Sequence, residues 1–316
     1  MTGSPRPAAP PSPAESIPSA DRPTAFAAWI LAARPRTLPA AAAPVLIGSG
    51  LATLKGAFVP LPALAALAGG LLIQVATNLA NDYYDFIRGT DTDERIGPLR
   101  VTQAGLLAPE QVRRGVWSTL GAALAVGTYL VWVAGWPIVL IGLASLVCSV
   151  AYTGGPFPLA YHGLGDLFVF VFFGLVAVGG TVYVQALTLT PDVLWAGAGV
   201  GALSTAILVV NNLRDLDTDR TAGKRTLAVR LGKTASRGEY LLLVAFGLAV
   251  PPIGVVRFDW PLLAWAVPLV GLMAIPPAWR VLRFQDPAEL LPALGQTARV
   301  VAAYGLALGG VLAWAA

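Results

Sequence analysis

Residues Asn78–Arg100, NLANDYYDFIRGTDTDERIGPLR, put Asp82, Asp85, Asp91, Asp93 and Glu94, five carboxylates in thirteen positions, directly after roughly twenty almost uncharged residues. Acids of one sign at the end of an apolar segment repel one another and call for a positive partner. A divalent cation is the simplest one. The chain has one histidine, His162, and one cysteine, Cys148, so neither a His cluster nor a Cys site is available. The ligands must be oxygens, which suits Mg²⁺ and also admits Mn²⁺ or Ca²⁺.

A second cluster, NNLRDLDTDRTAGKRT from Asn211 to Thr226, has the same form. In each, an Asn precedes an Asp by four residues at a helix end: Asn81 and Asp85 in the first, Asn211 and Asp215 in the second. Asp219 follows at the same helical spacing and so shares that face. At about 100° per residue, Gln74, Asn78, Asn81, Asp82 and Asp85 fall within an arc of about 100°. Such a stripe on an apolar helix belongs toward a bundle interior or a wet cavity. Gln74 is equally well read as an interhelical hydrogen-bonding residue; the carboxylates are not. The candidate metal ligands are Asp82, Asp85, Asp91, Asp215 and Asp219. Arg88, Arg95, Arg100, Lys224 and Arg225 stand among these acids and would repel a metal travelling alone. They suit a diphosphate that arrives with its cation, and Asn81 and Asn211 join them as candidate contacts. A divalent-metal transporter would more naturally carry its acids near the bilayer midplane on broken helices.

The elements that must hold these clusters are membrane helices. The 316 residues are 56% hydrophobic and 12% charged, against roughly 25% charged in soluble domains. Nine segments of spanning length occur, at about 37–54, 60–83, 116–135, 137–154, 164–188, 192–213, 238–256, 260–281 and 298–316. Residues 1–25, with seven prolines and no apolar run, read as a disordered cytoplasmic tail rather than a signal peptide. Residues 26–33 read as an interfacial stretch. With the N-terminus inside, nineteen of the 21 Lys and Arg fall on the inner side; only Lys55 and Arg257 do not. This bias sets the N-terminus inside, the C-terminus outside and both acid clusters on the cytoplasmic face of the cell (inner) membrane. The net charge of +4 is thereby topological and implies no nucleic-acid partner. The equal parity of the two cluster-bearing helices suggests one membrane domain over 26–316, with helices 1–4 and 5–8 as a pseudo-repeat plus a ninth. The sequence sets no oligomeric state.

The paired motifs resemble the two aspartate-rich motifs of the UbiA superfamily of intramembrane prenyltransferases. NDYYDFIRGTD followed by RIGPLR, YTGGPFPLAYHGLGD (Tyr152–Asp166), NNLRDLDTDRTAGKRTLAVRLG (Asn211–Gly232) and ARPRTLPAAAAPVLIGSGLA (Ala33–Ala52) are similar to its menaquinone branch. The resemblance runs from about residue 30 to the end, in family order. It implies an all-α membrane bundle around a central cavity open laterally to lipid, with Mg²⁺ held through both motifs. It implies transfer of a polyprenyl group from a polyprenyl diphosphate to 1,4-dihydroxy-2-naphthoate, with loss of pyrophosphate and CO₂. Asp85 and Asp219 are then indispensable. The superfamily's further Asp, four residues after Asp85, is Gly89 here, and either Asp91 or Asp82 completes the first metal set.

The loop after the fourth segment holds Tyr152, Tyr161, His162 and Asp166 and is expected on the acceptor side. Tyr152 and Asp166 are the catalytic candidates. Asp166 either orients or deprotonates a ring hydroxyl, or is a helix N-terminal acid favoured by the dipole. Arg34 and Arg36 are read as positive-inside anchors before substrate contacts. Within the same fold a 4-hydroxybenzoate, homogentisate, haem or chlorophyllide acceptor stands as the alternative to naphthoate.

Overall fold

The computed structural model describes residues 23–89, 96–97 and 99–315, and among them every regular element is helical. Asp91 and Arg95 lie outside the described residues, as does nearly all of the N-terminal tail. The order is α1 (Ala25–Ala33), α2 (Leu38–Leu54), α3 (Pro60–Ile87), α4 (Pro109–Ala134) and α5 (Trp136–Ala151). Then α6 (Gly165–Phe170), a π-helical stretch (Val171–Val176) and α7 (Ala177–Ala186) form one span. After α8 (Pro191–Arg214) come a short α9 (Leu216–Thr221) and α10 (Leu227–Phe258). A 3₁₀ stretch (Leu262–Ala274) leads into α11 (Ile275–Arg283), and α12 (Leu290–Trp314) closes the chain. Among the described residues eight helices are long and apolar enough to cross a membrane, and the shorter apolar α5 makes about nine.

Helix starts follow local chemistry. Pro60, Pro109 and Pro191 stand at the first turns of α3, α4 and α8, where the missing N–H has no intrahelical partner in any case. The Thr226 hydroxyl accepts from the Val229 amide and caps α10. Several helices outrun their apolar segments: α3 continues from the expected 83 to Ile87, α4 begins at Pro109 rather than 116, and α10 begins at Leu227 rather than 238. Hydropathy detects only the part of a helix immersed in hydrocarbon, whereas its hydrogen bonding continues into the polar turns beyond. Asp85 therefore sits on a helix and not on a loop.

The centre of the bundle is α8, buried for most of its length, and it packs with α2, α10 and α12 in the main apolar cluster. A second cluster joins α1, α3, α4 and the 101–107 turn, and a small third one closes the opposite end of α4, α5 and α7. Large apolar side chains such as Trp132, Leu140, Leu262 and Trp314 point outward, as expected where lipid is the solvent. α2 and α12 approach so closely that a Cβ on Gly50 would overlap the Gly309 backbone, the small-residue seam by which membrane helices gain packing. Gly50→Val is expected to cost about 1–3 kcal/mol by overpacking, read as a lower Tm in detergent. Gly121→Ala, whose added Cβ meets nothing within 4 Å, should leave Tm unchanged or raise it.

Candidate functional site

The two acid clusters meet at one end of a cavity of about 530 Å³ whose remaining wall is largely apolar. Asp85 comes from α3, Asp215 from the C-cap of α8, and Asp219 from α9. The break between α8 and α9 is slight, since the Asp219 amide still donates to the Asp215 carbonyl at 2.7 Å. Asn211, Asp215 and Asp219 accordingly share one wall, with Asn81 and Asp85 also lining the cavity. The Lys224 ammonium lies 3.5 Å from Asp85 Oδ1 and 3.8 Å from Asp219 Oδ1. One cationic group thus reaches both motifs, and this gives the spacing of the site.

Asp85 and Asp215 are each held by a buried arginine. Arg100 Nη2 donates to Asp85 Oδ2 at 2.8 Å, and the Tyr161 hydroxyl donates to Asp85 Oδ1 at 2.8 Å. Arg214 forks onto Asp215, Nε to Oδ1 at 2.8 Å and Nη2 to Oδ2 at 2.6 Å, and also reaches Asn211 Oδ1 at 2.9 Å. The Thr153 hydroxyl donates to Asn81 Oδ1 at 2.7 Å. The loop bearing Tyr161 is tied to that of Lys224 by the Arg225 amide on the Tyr161 carbonyl at 3.0 Å, and by Arg230 Nη2 on the His162 carbonyl at 2.8 Å. Sequence reasoning alone does not reach Arg214 as a partner of Asp215 or Tyr161 as a partner of Asp85; the acceptor-side loop motif carries no sign of the latter, because that contact joins distant parts of the chain.

Four expected residues lie outside the cavity wall. Asp82 is buried, but its oxygens accept the Val101 and Thr102 amides, each at 3.1 Å, and it is not in the cavity wall. It stands at the far edge of the polar arc, and an arc that wide serves two neighbours: the cavity at Asn81 and Asp85, the 101–107 turn at Asp82. Arg88 donates to the Thr153 and Gly155 carbonyls, anchoring that loop instead of lining the cavity. Arg225 is exposed and contributes its backbone. Of the acceptor-side pair, Tyr152 lines the cavity. Asp166 is buried behind the wall, with neither carboxylate oxygen hydrogen-bonded among the described residues. Gln74 and Asn78 do line the cavity, but their amides reach Thr37 and the Ala33 carbonyl, tying α3 to the α1–α2 corner.

No three His, Cys, Asp or Glu side chains among the described residues converge on one metal-sized point. Mg²⁺ bound with a diphosphate does not need such a cage, because it takes one or two carboxylates and completes its shell with phosphate oxygens and water. Asp85 on one side and Asp219 and Asp215 on the other, flanked by Asn81 and Asn211, match that donor set.

The model of the UbiA prenyltransferase family matches residues 41–298. A Mycobacterium tuberculosis protein named 1,4-dihydroxy-2-naphthoate octaprenyltransferase is 42% identical over 294 residues, covering 92% of this chain and 98% of its own. The Escherichia coli protein of the same name is 37% identical over 278 residues, covering 86% and 90%. Among solved structures, a UbiA homologue from Archaeoglobus fulgidus bound to DMAPP and Mg²⁺ superposes with a TM-score of 0.63 at 14% identity, over 89% of this chain and 99% of its own. An apo UbiA homologue from Aeropyrum pernix gives 0.65 at 16% identity, over 86% and 96%.

Asp82 and Asp85, three residues apart, should separate by readout. Asp82→Ala removes the acceptor of two buried amides and is expected to lower stability by about 1–3 kcal/mol per amide left bare, seen as a reduced Tm. Asp82→Asn keeps an acceptor oxygen and should recover part of that loss.

Proposed function

Because the chain belongs to the UbiA prenyltransferase family, we propose that it transfers a polyprenyl group from an allylic polyprenyl diphosphate to 1,4-dihydroxy-2-naphthoate, releasing pyrophosphate and CO₂ on the way to demethylmenaquinone. The observation that carries the reading is Lys224 between Asp85 and Asp219 at the polar end of a largely apolar cavity. A substrate with a polyanionic head and a hydrocarbon tail matches both ends of that cavity at once. The relatives' shared name supports naphthoate as acceptor.

Asp85, Asp215 and Asp219, with Asn81 and Asn211, would hold Mg²⁺, with Mn²⁺ as a substitute; the metal supplies neutralisation of the diphosphate as the leaving group departs. Arg100 and Lys224 take the remaining negative charge from a low-dielectric wall, where such contacts strengthen as charge grows on the departing oxygen. Tyr161 keeps the Asp85 carboxylate oriented through its hydroxyl. The allylic C–O bond breaks with its electron pair leaving on the diphosphate. The ring carbon that bears the carboxylate donates the new pair, and CO₂ leaves as the pair of its own C–C bond restores the aromatic ring. No proton has to leave the ring carbon, so an acid buried as Asp166 is need not act as a base. Tyr152, in the wall, is on the acceptor side. The Lys and Arg asymmetry supports a cytoplasmic N-terminus and active site in the cell (inner) membrane.

Purified protein given a polyprenyl diphosphate, dihydroxynaphthoate and Mg²⁺ should form coupled product; product from 4-hydroxybenzoate or homogentisate but not from naphthoate, in an acceptor panel, would refute the acceptor. Asp85→Asn and Asp219→Asn should each lose about 10²-fold or more in kcat, on the scale of lost transition-state charge stabilisation, with Tm retained. Chelation should abolish turnover and Mg²⁺ restore it, whereas turnover in EDTA would exclude the metal role.

A further inference from the structure

The span Gly165–Ala186 shows the one π-helical stretch among the described residues, Val171–Val176. Phe168, Phe172, Val176, Gly180 and Val184, at steps of four, all line the cavity. In a plain α-helix each such step drifts by about 40°, and the row would swing roughly 160° around the axis. The wider π turn takes back part of that drift, so one face stays on the cavity from its polar end to its apolar end. Gly174 in the stretch lies on the Gly197 and Gly201 backbone of α8, too close for a Cβ, which fixes its rotation.

The first two residues of that row are aromatic and stacked, with ring centroids 5.6 Å apart and planes at 11°. Their level is given by Gly165, one turn earlier, where a Cβ would lie 3.1 Å from the Tyr152 hydroxyl. The span begins four residues after Tyr161, whose hydroxyl meets Asp85, so Phe168 and Phe172 stand in its first turns beyond the polar end, the level at which the allylic carbon of a donor with its diphosphate on the acid motifs would lie. Tyr152 and Tyr161 also line this end, but each carries a hydroxyl, and Tyr161 already has Lys224 at 4.8 Å and Arg88 at 5.2 Å from its centroid. An allylic carbocation needs a wall that is electron-rich, carries no nucleophile and excludes water.

Resting on the function proposed above, we infer that the Phe168–Phe172 pair is the π wall that shelters this cation and decides between coupling and hydrolysis. Once the C–O bond has broken, with its electron pair on the diphosphate, two electron donors compete. The acceptor ring carbon gives the coupled product and CO₂. A water oxygen, losing a proton, gives the free prenyl alcohol.

The test measures prenyl alcohol against coupled product, per pyrophosphate released, in wild type, Phe168→Leu and Phe172→Leu. Leucine keeps the wall apolar and filled, and either variant alone suffices should the other fail to accumulate. The alcohol-to-product ratio should rise about tenfold, on the scale of a desolvated cation–π contact, and Phe172→Trp should hold it near wild type. A slower reaction with an unchanged ratio in both leucine variants would mean packing alone and overturn the inference. Wild type that forms no coupled product would instead overturn the function on which it rests.

Discussion

Several carboxylates gathered at the end of an apolar cavity are stable only while positive charge stands among them, and much of this structure answers that constraint. Lys224 bridges the two motifs, Arg100 backs Asp85, and Arg214 forks onto Asp215. A pair at such distances is worth little in water but a good deal where the dielectric is low, and an acid left bare there would be costly. The same arrangement is receptive to a diphosphate with its cation, because the ligand exchanges one set of charge contacts for another without stranding any of them.

The backbone serves that end through a few close approaches. The α2–α12 seam at Gly50 and Gly309 and the Gly174 seat on α8 bring helices together where a side chain would hold them apart. Gln74 and Asn78 fasten α3 to the α1–α2 corner, and Asp82 fastens it to the turn beyond. α3 is thus fastened at two levels along its polar arc, to the α1–α2 corner and to the 101–107 turn, while Asn81 and Asp85 face the cavity. The loop of Tyr161 and that of Lys224 are joined through backbone carbonyls, so the groups that touch Asp85 from opposite parts of the chain are positioned together.

The legible part of the site was periodic. Asn211, Asp215 and Asp219 could be placed on one face from their spacing, because helical geometry persists across the short break after Arg214. Asp82 could not be told from Asp85 in the same way, since both lie in one arc and only the neighbour that fills each side separates them. Proximity along the chain groups Arg88 and Arg225 with the diphosphate contacts. In space, Arg88 turns to the carbonyls of the 153–155 loop, and Arg225 presents its backbone.

Composition and hydropathy by themselves determined an all-helical membrane chain of about nine spans, because burial in lipid demands long apolar segments whatever their partners. The acid motifs and the repeated Asn–Asp spacing determined that two polar faces exist and what class of ligand would suit them. Only the tertiary structure decided that Asp85 and Asp219 lie within reach of one ammonium group, that Tyr161 and Arg214 belong to the site, and that Asp82 does not line it. Periodicity fixes the direction in which a side chain leaves its own helix. What it meets there depends on contacts between residues far apart in the chain, and no local pattern encodes those.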